Sequence, residues 1–299
     1  VRTIADIGED ALVHRLTENL PLSADVIVGA GDDCAVLRPF RKGRVILLKT
    51  DCVVQGVHFT AATPAKLVGR KALARVLSDI AAMGGTPHHA LITLMLPPRT
   101  EVRYADKLYQ GINALAVKHE VSIVGGETTR GPCVSISVAL LGSALEKRFT
   151  RRGGARAGDL IFVTGKLGGS LRGHHLKFEP RLVEGRWLAE NFSIHAMMDL
   201  SDGVAKDLPR MAKAGNVRSF AVESSALPLN KGCNVQQALN DGEDYELLFA
   251  ISPRDSKPLI KKWSLAFPRV PLTCIGRFLE EGDGDNNFLA GGWDHFKAT

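Results

Sequence analysis

The chain has 299 residues, of which 45% are hydrophobic and 6% aromatic, and a length that favours two domains over one. Its 30 glycines and 14 prolines are spread along the chain, which excludes a low-complexity or disordered class. The formal charge of +6 comes from scattered basic residues without interleaved aromatics, so nucleic acid is not the expected partner.

Residues 5–16 form an amphipathic helix candidate with Leu12, Val13 and Leu16 on one face. Two short β-branched runs, 34–37 and 45–48, read as strands. Asp32 and Asp33 precede the first, Asp51 directly follows the second, and His58 closes a segment loosened by Gly56. Two carboxylates about 4 Å apart at an effective dielectric of roughly 20 repel by about 4 kcal/mol, so a positive partner is expected nearby. Residues 64–83 read as a helix: Leu73, Val76, Leu77 and Ile80 have helical spacing, Pro64 suits the first turn, and Gly84, Gly85 and Pro87 end it. Asp79 then falls in the last turns, where the helix dipole disfavours negative charge.

A strand is expected at 89–96, a helix at 101–119, a strand at 121–124 and a long alternating strand at 133–141. This alternation predicts an α/β half, residues 1–146, with Arg152, Gly153 and Gly154 as the linker. In the second half, 147–299, strands are expected at 159–164, 194–200, 218–222, 245–251 and 272–275. Helices are expected at 181–191, 204–214, 235–239 and 258–266. The order echoes the first half without an exact repeat.

No apolar run approaches the roughly 20 residues of a membrane span, and no basic segment leads into an apolar one at the start, so the expectation is a cytoplasmic protein without a membrane partner. Cys34, Cys52, Cys133, Cys233 and Cys274 are widely separated and contain no CxxC pair; they predict buried thiols rather than disulfides or a zinc site.

Asp32, Asp33, Asp51, Asp79, Glu127, Asp199 and Asp202 all sit at expected strand ends, helix ends or Gly-rich turns. Singly, each is also an ordinary turn residue. Together they predict a site for hard cations, which prefer carboxylate oxygens and water, and hence for magnesium and a nucleotide. GxxxxGK[ST] is absent, so Lys166 in TGKLGGS is not a Walker lysine, and Gly29-Ala30-Gly31 lacks the third glycine of a dinucleotide loop. GGETTRGP (125–132) combines two glycines, two hydroxyls and an arginine, as a phosphate-approaching turn would; a plain turn is the alternative. Arg151 is a phosphate-gripping candidate, and Trp293 either stacks on a planar ring or fills a satellite core.

GDDCAVL, TDCVVQGVHF, LSDIAAMGG, GGETTRGP, FTRRGGARAGD, VTGKLGGS, MDLSDG and GEDYELLF, in this order over nearly the whole chain, resemble the thiamine-monophosphate kinase family. That family lies in the superfamily of aminoimidazole ribonucleotide synthetase and selenophosphate synthetase. The resemblance implies a two-domain α+β fold: an N-terminal α/β domain that builds a barrel with a second copy in a homodimer, and a C-terminal α+β domain. It implies Mg²⁺ and ATP at the junction. By position, Asp33, Thr50, Asp51, Asp79, Glu127, Asp199 and Asp202 correspond to metal contacts. Gly126, Glu127, Arg151 and Ser201 correspond to nucleotide contacts, and His58, Glu243 and Trp293 to contacts with thiamine monophosphate. Asp79, Asp202 and Arg151 are the residues expected to carry catalysis.

The chain departs from the family pattern in places. Glu127 stands for the usual Asp, Lys49 for a Ser or Thr beside the metals, and Gly169 for an Asp; the segment 171–180 is short. The implied reaction passes the ATP γ-phosphoryl group to thiamine monophosphate, whose phosphate has a second pKa near 6 and so needs no general base. Two rivals stay open on sequence: another ATP-dependent small-molecule synthetase of the superfamily, and a non-catalytic binder of nucleotides or nucleic acid.

Overall fold

The computed structural model describes residues 3, 6, 12, 15–24, 26–28, 36–37, 42–217, 219–280 and 291–293. The chain divides into two compact units, Val1–Ile80 with Thr86–Glu146, and Ala81–Gly85 with Lys147–Thr299. The expected first helix and the Asp32–Asp33 pair fall largely or wholly outside the described residues.

The first unit carries a small antiparallel pair, β1 (Val26–Val28) and β2 (Val36–Leu37). Its main sheet has four strands in the order β3 (Arg44–Val54), β6 (Ser135–Leu145), β4 (Thr86–Leu96), β5 (Ser122–Arg130). All pairs are antiparallel except β4 with β5, which are joined by helix α2 (Val102–Lys118) as a parallel crossover. The other helix, α1 (Ala65–Ala82), buries Val68, Leu73, Val76, Leu77 and Ile80. The two helices cross closely, because a Cβ on Gly69 would stand 2.0 Å from the Leu108 carbonyl and one on Gly111 1.9 Å from that of Lys66.

Strand parity decides what each face of this sheet does. Ile136, Val138 and Leu140 of β6, with Ile92 and Leu94 of β4, are fully buried on one face. On the other face Ile46, Leu48 and Leu91 are 61%, 77% and 44% exposed. This alternation corrects the placement of Asp51. The strand runs on through it to Val54, so Asp51 lies inside β3 on the buried side and not at a strand end. GGETTR is likewise no turn: β5 continues through it to Arg130, after a register shift between Ala90 and Leu91 that passes over Val124 and pairs Gly125 and Gly126 with Leu91 and Ile92. A Cβ on Gly126 would stand 1.9 Å from the Ile92 carbonyl, so the close approach is to the neighbouring strand.

The second unit is built on a fully antiparallel five-stranded sheet, β8 (Ile194–Asp199), β10 (Leu247–Ile251), β7 (Leu160–Thr164), β11 (Leu272–Leu279), β9 (Ser219–Val222). Ile161, Val163, Ala196, Met198, Leu248 and Ala250 pack with Leu208 and Met211 of α4 (Val204–Ala214) and with Ala238 and Leu239 of α5 (Val235–Asn240). Phe162 and Phe249 stack at 5.5 Å between ring centres. Helix α3 (Leu182–Asn191) brings Trp187 to Trp263 and Phe267 at the end of α6 (Pro253–Ala266). That last helix starts five residues before the expected position, because Ser252 caps it and Pro253 opens it, whereas Pro258 sits inside. Gly153 and Gly154 are no open linker: a Cβ would meet the Ala214 carbonyl at 2.6 Å and the His195 carbonyl at 2.4 Å. The four described cysteines are free and half-buried rather than buried.

Candidate active site

In the first unit, α1 lays a polar stripe against β3. Lys71, Arg75, Ser78 and Asp79 recur at helical spacing, and three of them reach the strand or the loop after it. Lys49 Nζ lies 3.0 Å from Asp79 Oδ1, and Arg75 Nε lies 3.4 Å from Asp51 Oδ2. Arg75 Nη1 also donates to the Cys52 carbonyl at 3.2 Å. Lys71, wholly buried, donates to the His58 carbonyl at 2.7 Å. The His58 ring is held in turn, its Nδ1 accepting the Val54 N–H at 3.1 Å.

The structure therefore brings Asp51 and Asp79 to one face, each opposite a cation. Thr50 and Glu127 lie on the other face. Thr50 Oγ1 is 3.4 Å from Ser137 Oγ there, and Glu127 is exposed opposite Thr93. Asp33 lies outside the described residues. Among the described residues, no three His, Cys, Asp or Glu side chains are grouped closely enough to hold a metal ion between them. Hard carboxylate oxygens in ones and twos are what Mg²⁺ uses when phosphate oxygens and water complete its shell, so the donors present fit that ion.

In the second unit, β8 ends on Asp199, 7% exposed, and the loop after it is tied down from below. The N–H groups of Ser201 and Asp202 both donate to Asp207 Oδ2, at 3.0 and 2.8 Å. Arg210 bridges Asp202 at 2.6 Å and Asp207 at 3.0 Å, and Lys206 lies 3.6 Å from Asp202. Asp207 has its pKa pushed up to about 7, chiefly by burial, with the Asp202 N–H pulling the other way. The turn at 241–245 is bonded to the same loop: Glu243 N–H reaches the Ser201 carbonyl and Tyr245 N–H that of Leu200, both at 2.8 Å. Trp293 N–H donates to the Asp202 carbonyl at 3.0 Å, and Lys206 Nζ to the Trp293 carbonyl. Asp199, Ser201, Asp202, Glu243 and Trp293 are thus one assembly, although the last is 91 residues from Asp202 in sequence. Arg151 is anchored through its carbonyl, which accepts the Met197 N–H at 2.8 Å, and its side chain is exposed.

Residues 31–144 match the family of AIR synthase related proteins, N-terminal domain. Over 290 residues the chain is 37% identical to the thiamine-monophosphate kinase of Rhodopirellula baltica, covering 89% of this chain and 87% of that protein. The chain belongs to the thiamine-monophosphate kinase family. Its fold matches the crystal structure of the thiamine-monophosphate kinase from Stenotrophomonas maltophilia K279a with a TM-score of 0.78 and 32% identity over 90% of this chain and 92% of that one. It also matches AaThiL complexed with AMPPCP and TMP, with a TM-score of 0.74 and 29% identity over 99% of both chains. Against that membership, reading the sequence alone missed Arg75, Lys71, Asp207 and Arg210. Asp207 did leave a signal: it is a charge on the apolar face of an amphipathic helix, beside Val204, Leu208 and Met211, a place where charged residues stay only when partnered.

Proposed function

We propose that this chain transfers the γ-phosphoryl group of ATP to the phosphate of thiamine monophosphate, giving thiamine diphosphate and ADP. The observation that carries it is the 37% identity to a thiamine-monophosphate kinase along 89% of the chain. The complex of AaThiL with an ATP analogue and TMP supports the same pair of substrates. The acceptor phosphate is largely a dianion at neutral pH and needs no proton removed, so the protein's task is alignment and charge neutralisation.

Mg²⁺, when bound, would supply the positive charge that neutralises the phosphates. Within the first unit, Asp51 and Asp79 are the carboxylates we assign to metal contacts; within the second, we assign Asp199 and Asp202 to metal contacts. Thr50 and Glu127, on the open face of the first sheet, enter this assignment only through the assembled dimer, and Asp33 stands with them as a further candidate. Arg151, whose side chain is exposed, is the cation we assign to a phosphate. Gly126 and Ser201 offer backbone and hydroxyl to the nucleotide. His58, Glu243 and Trp293 are assigned to thiamine monophosphate; His58 is a positioning group, since no base is required.

The homodimer is part of the same proposal. Ile46, Leu48 and Leu91 form an exposed apolar sheet face of the kind that a second copy covers. A cytoplasmic setting follows from the use of ATP. Among the described residues no helix is long and apolar enough to cross a membrane.

The direct test is to mix the protein with ATP, Mg²⁺ and thiamine monophosphate and to detect thiamine diphosphate. ADP formation independent of thiamine monophosphate, or none, overturns the assignment. Asp79→Asn tests the metal reading: a folded variant retaining near-full magnesium-dependent turnover removes Asp79 from it.

A further inference from the structure

Residues 168–178 form a short, largely non-repetitive segment, yet they are fastened to the turn 241–245 at five points. The Gly168 N–H donates to Asp244 at 3.0 Å and the Gly169 N–H to Asp241 at 2.8 Å. Ser170 Oγ donates to the Glu243 carbonyl at 2.5 Å. His175 Nδ1 lies 3.0 Å from Glu243 Oε2, and the Phe178 ring stacks on Tyr245 with 4.1 Å between centres. The turn so held is strained: Glu243 and Tyr245 have φ of +53° and +52°, values that residues with side chains seldom adopt. Such a backbone persists only where the surroundings over-determine it, as they do here.

The contacts to Asp241, Asp244, the Glu243 carbonyl and Tyr245 dock the segment. The His175 contact does something different, because it is made to the Glu243 carboxylate itself. The other oxygen, Oε1, is 3.4 Å from the Tyr245 hydroxyl. His175 is 8% exposed, so its ring is fixed by packing before any ligand arrives. We infer that His175 is a positioning residue for thiamine monophosphate, locking the Glu243 carboxylate in the orientation that receives the ring end of the substrate. The inference rests on the proposed assignment of Glu243 to that substrate. An acceptor-only anion repels the phosphate end and suits the other end, with its cationic thiazolium and the amino group of its pyrimidine. A pre-oriented acceptor spends no binding free energy on ordering, which is where the effect of His175 falls.

The test is steady-state kinetics and calorimetric titration of thiamine monophosphate on His175→Ala, His175→Gln and Glu243→Gln, with thermal unfolding of each. Loss of one charge-assisted hydrogen bond predicts that His175→Ala raises KM for thiamine monophosphate about tenfold, more than it lowers kcat. KM for ATP stays within about twofold, and His175→Gln, which keeps an N–H donor, recovers part of the loss. Adding Glu243→Gln to His175→Ala costs no more than Glu243→Gln alone, because the two act as a unit. A folded His175→Ala with unchanged affinity for thiamine monophosphate, or with equal losses for both substrates, overturns the inference while leaving Glu243 in place. If Glu243→Gln itself binds thiamine monophosphate normally, it is the assignment of Glu243 that fails.

Discussion

The ammonium of Lys49 lies 3.0 Å from the carboxylate of Asp79, joining the middle of β3 to the last turn of α1. A negative charge at that end of a helix opposes the dipole, and the lysine offsets it. It also stands in the way of any other cation. Both side chains are partly solvated, at 35% and 26% exposure, so the pair itself contributes no more than about 1 kcal/mol to stability. Lys49→Thr is therefore expected to leave the fold intact and to tighten Mg²⁺ or Mn²⁺ binding in the presence of an ATP analogue. Calorimetry of metal binding checks this; an unchanged or weakened affinity refutes it.

Asp244 is buried beside Gly168, and its pKa is pushed up to about 8, first by burial and then by Glu246 and Asp241, against the Gly168 N–H. The folded state then holds a proton that the unfolded chain has released above its ordinary value of 3.8. Stability from this group is complete below that value and is lost as pH climbs towards 8. Asp244→Asn, which keeps the acceptor and removes the titration, should match the parent Tm near pH 4 and exceed it increasingly up to pH 8.5. Parallel Tm curves across that range would contradict the assignment.

Glu246 and Arg181 form a bidentate pair, at 2.7 and 2.5 Å, and Thr164 Oγ1 donates to the same carboxylate at 2.7 Å. The carboxylate is 4% exposed, so removing only the cation strands a buried charge. Arg181→Met is expected to destabilise the second unit by about 3–5 kcal/mol, and Arg181→Met with Glu246→Gln by clearly less. Denaturant unfolding of the three proteins decides it.

The open face of the first sheet offers the test of assembly. Leu48, 77% exposed, lies on it in the edge strand β3, opposite Leu141. Leu48→Glu should shift the protein to the monomer in sedimentation or light scattering, with little effect on monomer folding. A parent protein that is monomeric at micromolar concentration removes the dimer from the proposal.

Elements whose periodicity was strong were legible in the sequence: the helix Val204–Ala214 falls where its apolar spacing puts it. What misled was glycine. Gly125, Gly126, Gly153 and Gly154 read as turn or linker punctuation, whereas three of them serve close packing against Ile92, Ala214 and His195. Such uses depend on a neighbour far along the chain, which local pattern does not encode. The site divides in the same way. Asp199, Ser201 and Asp202 announce themselves beside Gly203, but His175 acquires meaning only from Glu243, 68 residues later. Tyr245 falls in the expected strand 245–251, yet its left-handed backbone delays β10 until Leu247.

Thr50 and Asp51 are neighbours on β3 that look in opposite directions, one with Leu48 toward the open face and the other toward Arg75. Alternate positions along this strand thus face two different requirements. Inserting a single residue before Thr50 would hand the carboxylate to the exposed face and bury the hydroxyl, exchanging the two duties at a stroke. Substitutions scanned through 44–54 should accordingly fall into two interleaved classes, one read out in self-association and the other in turnover.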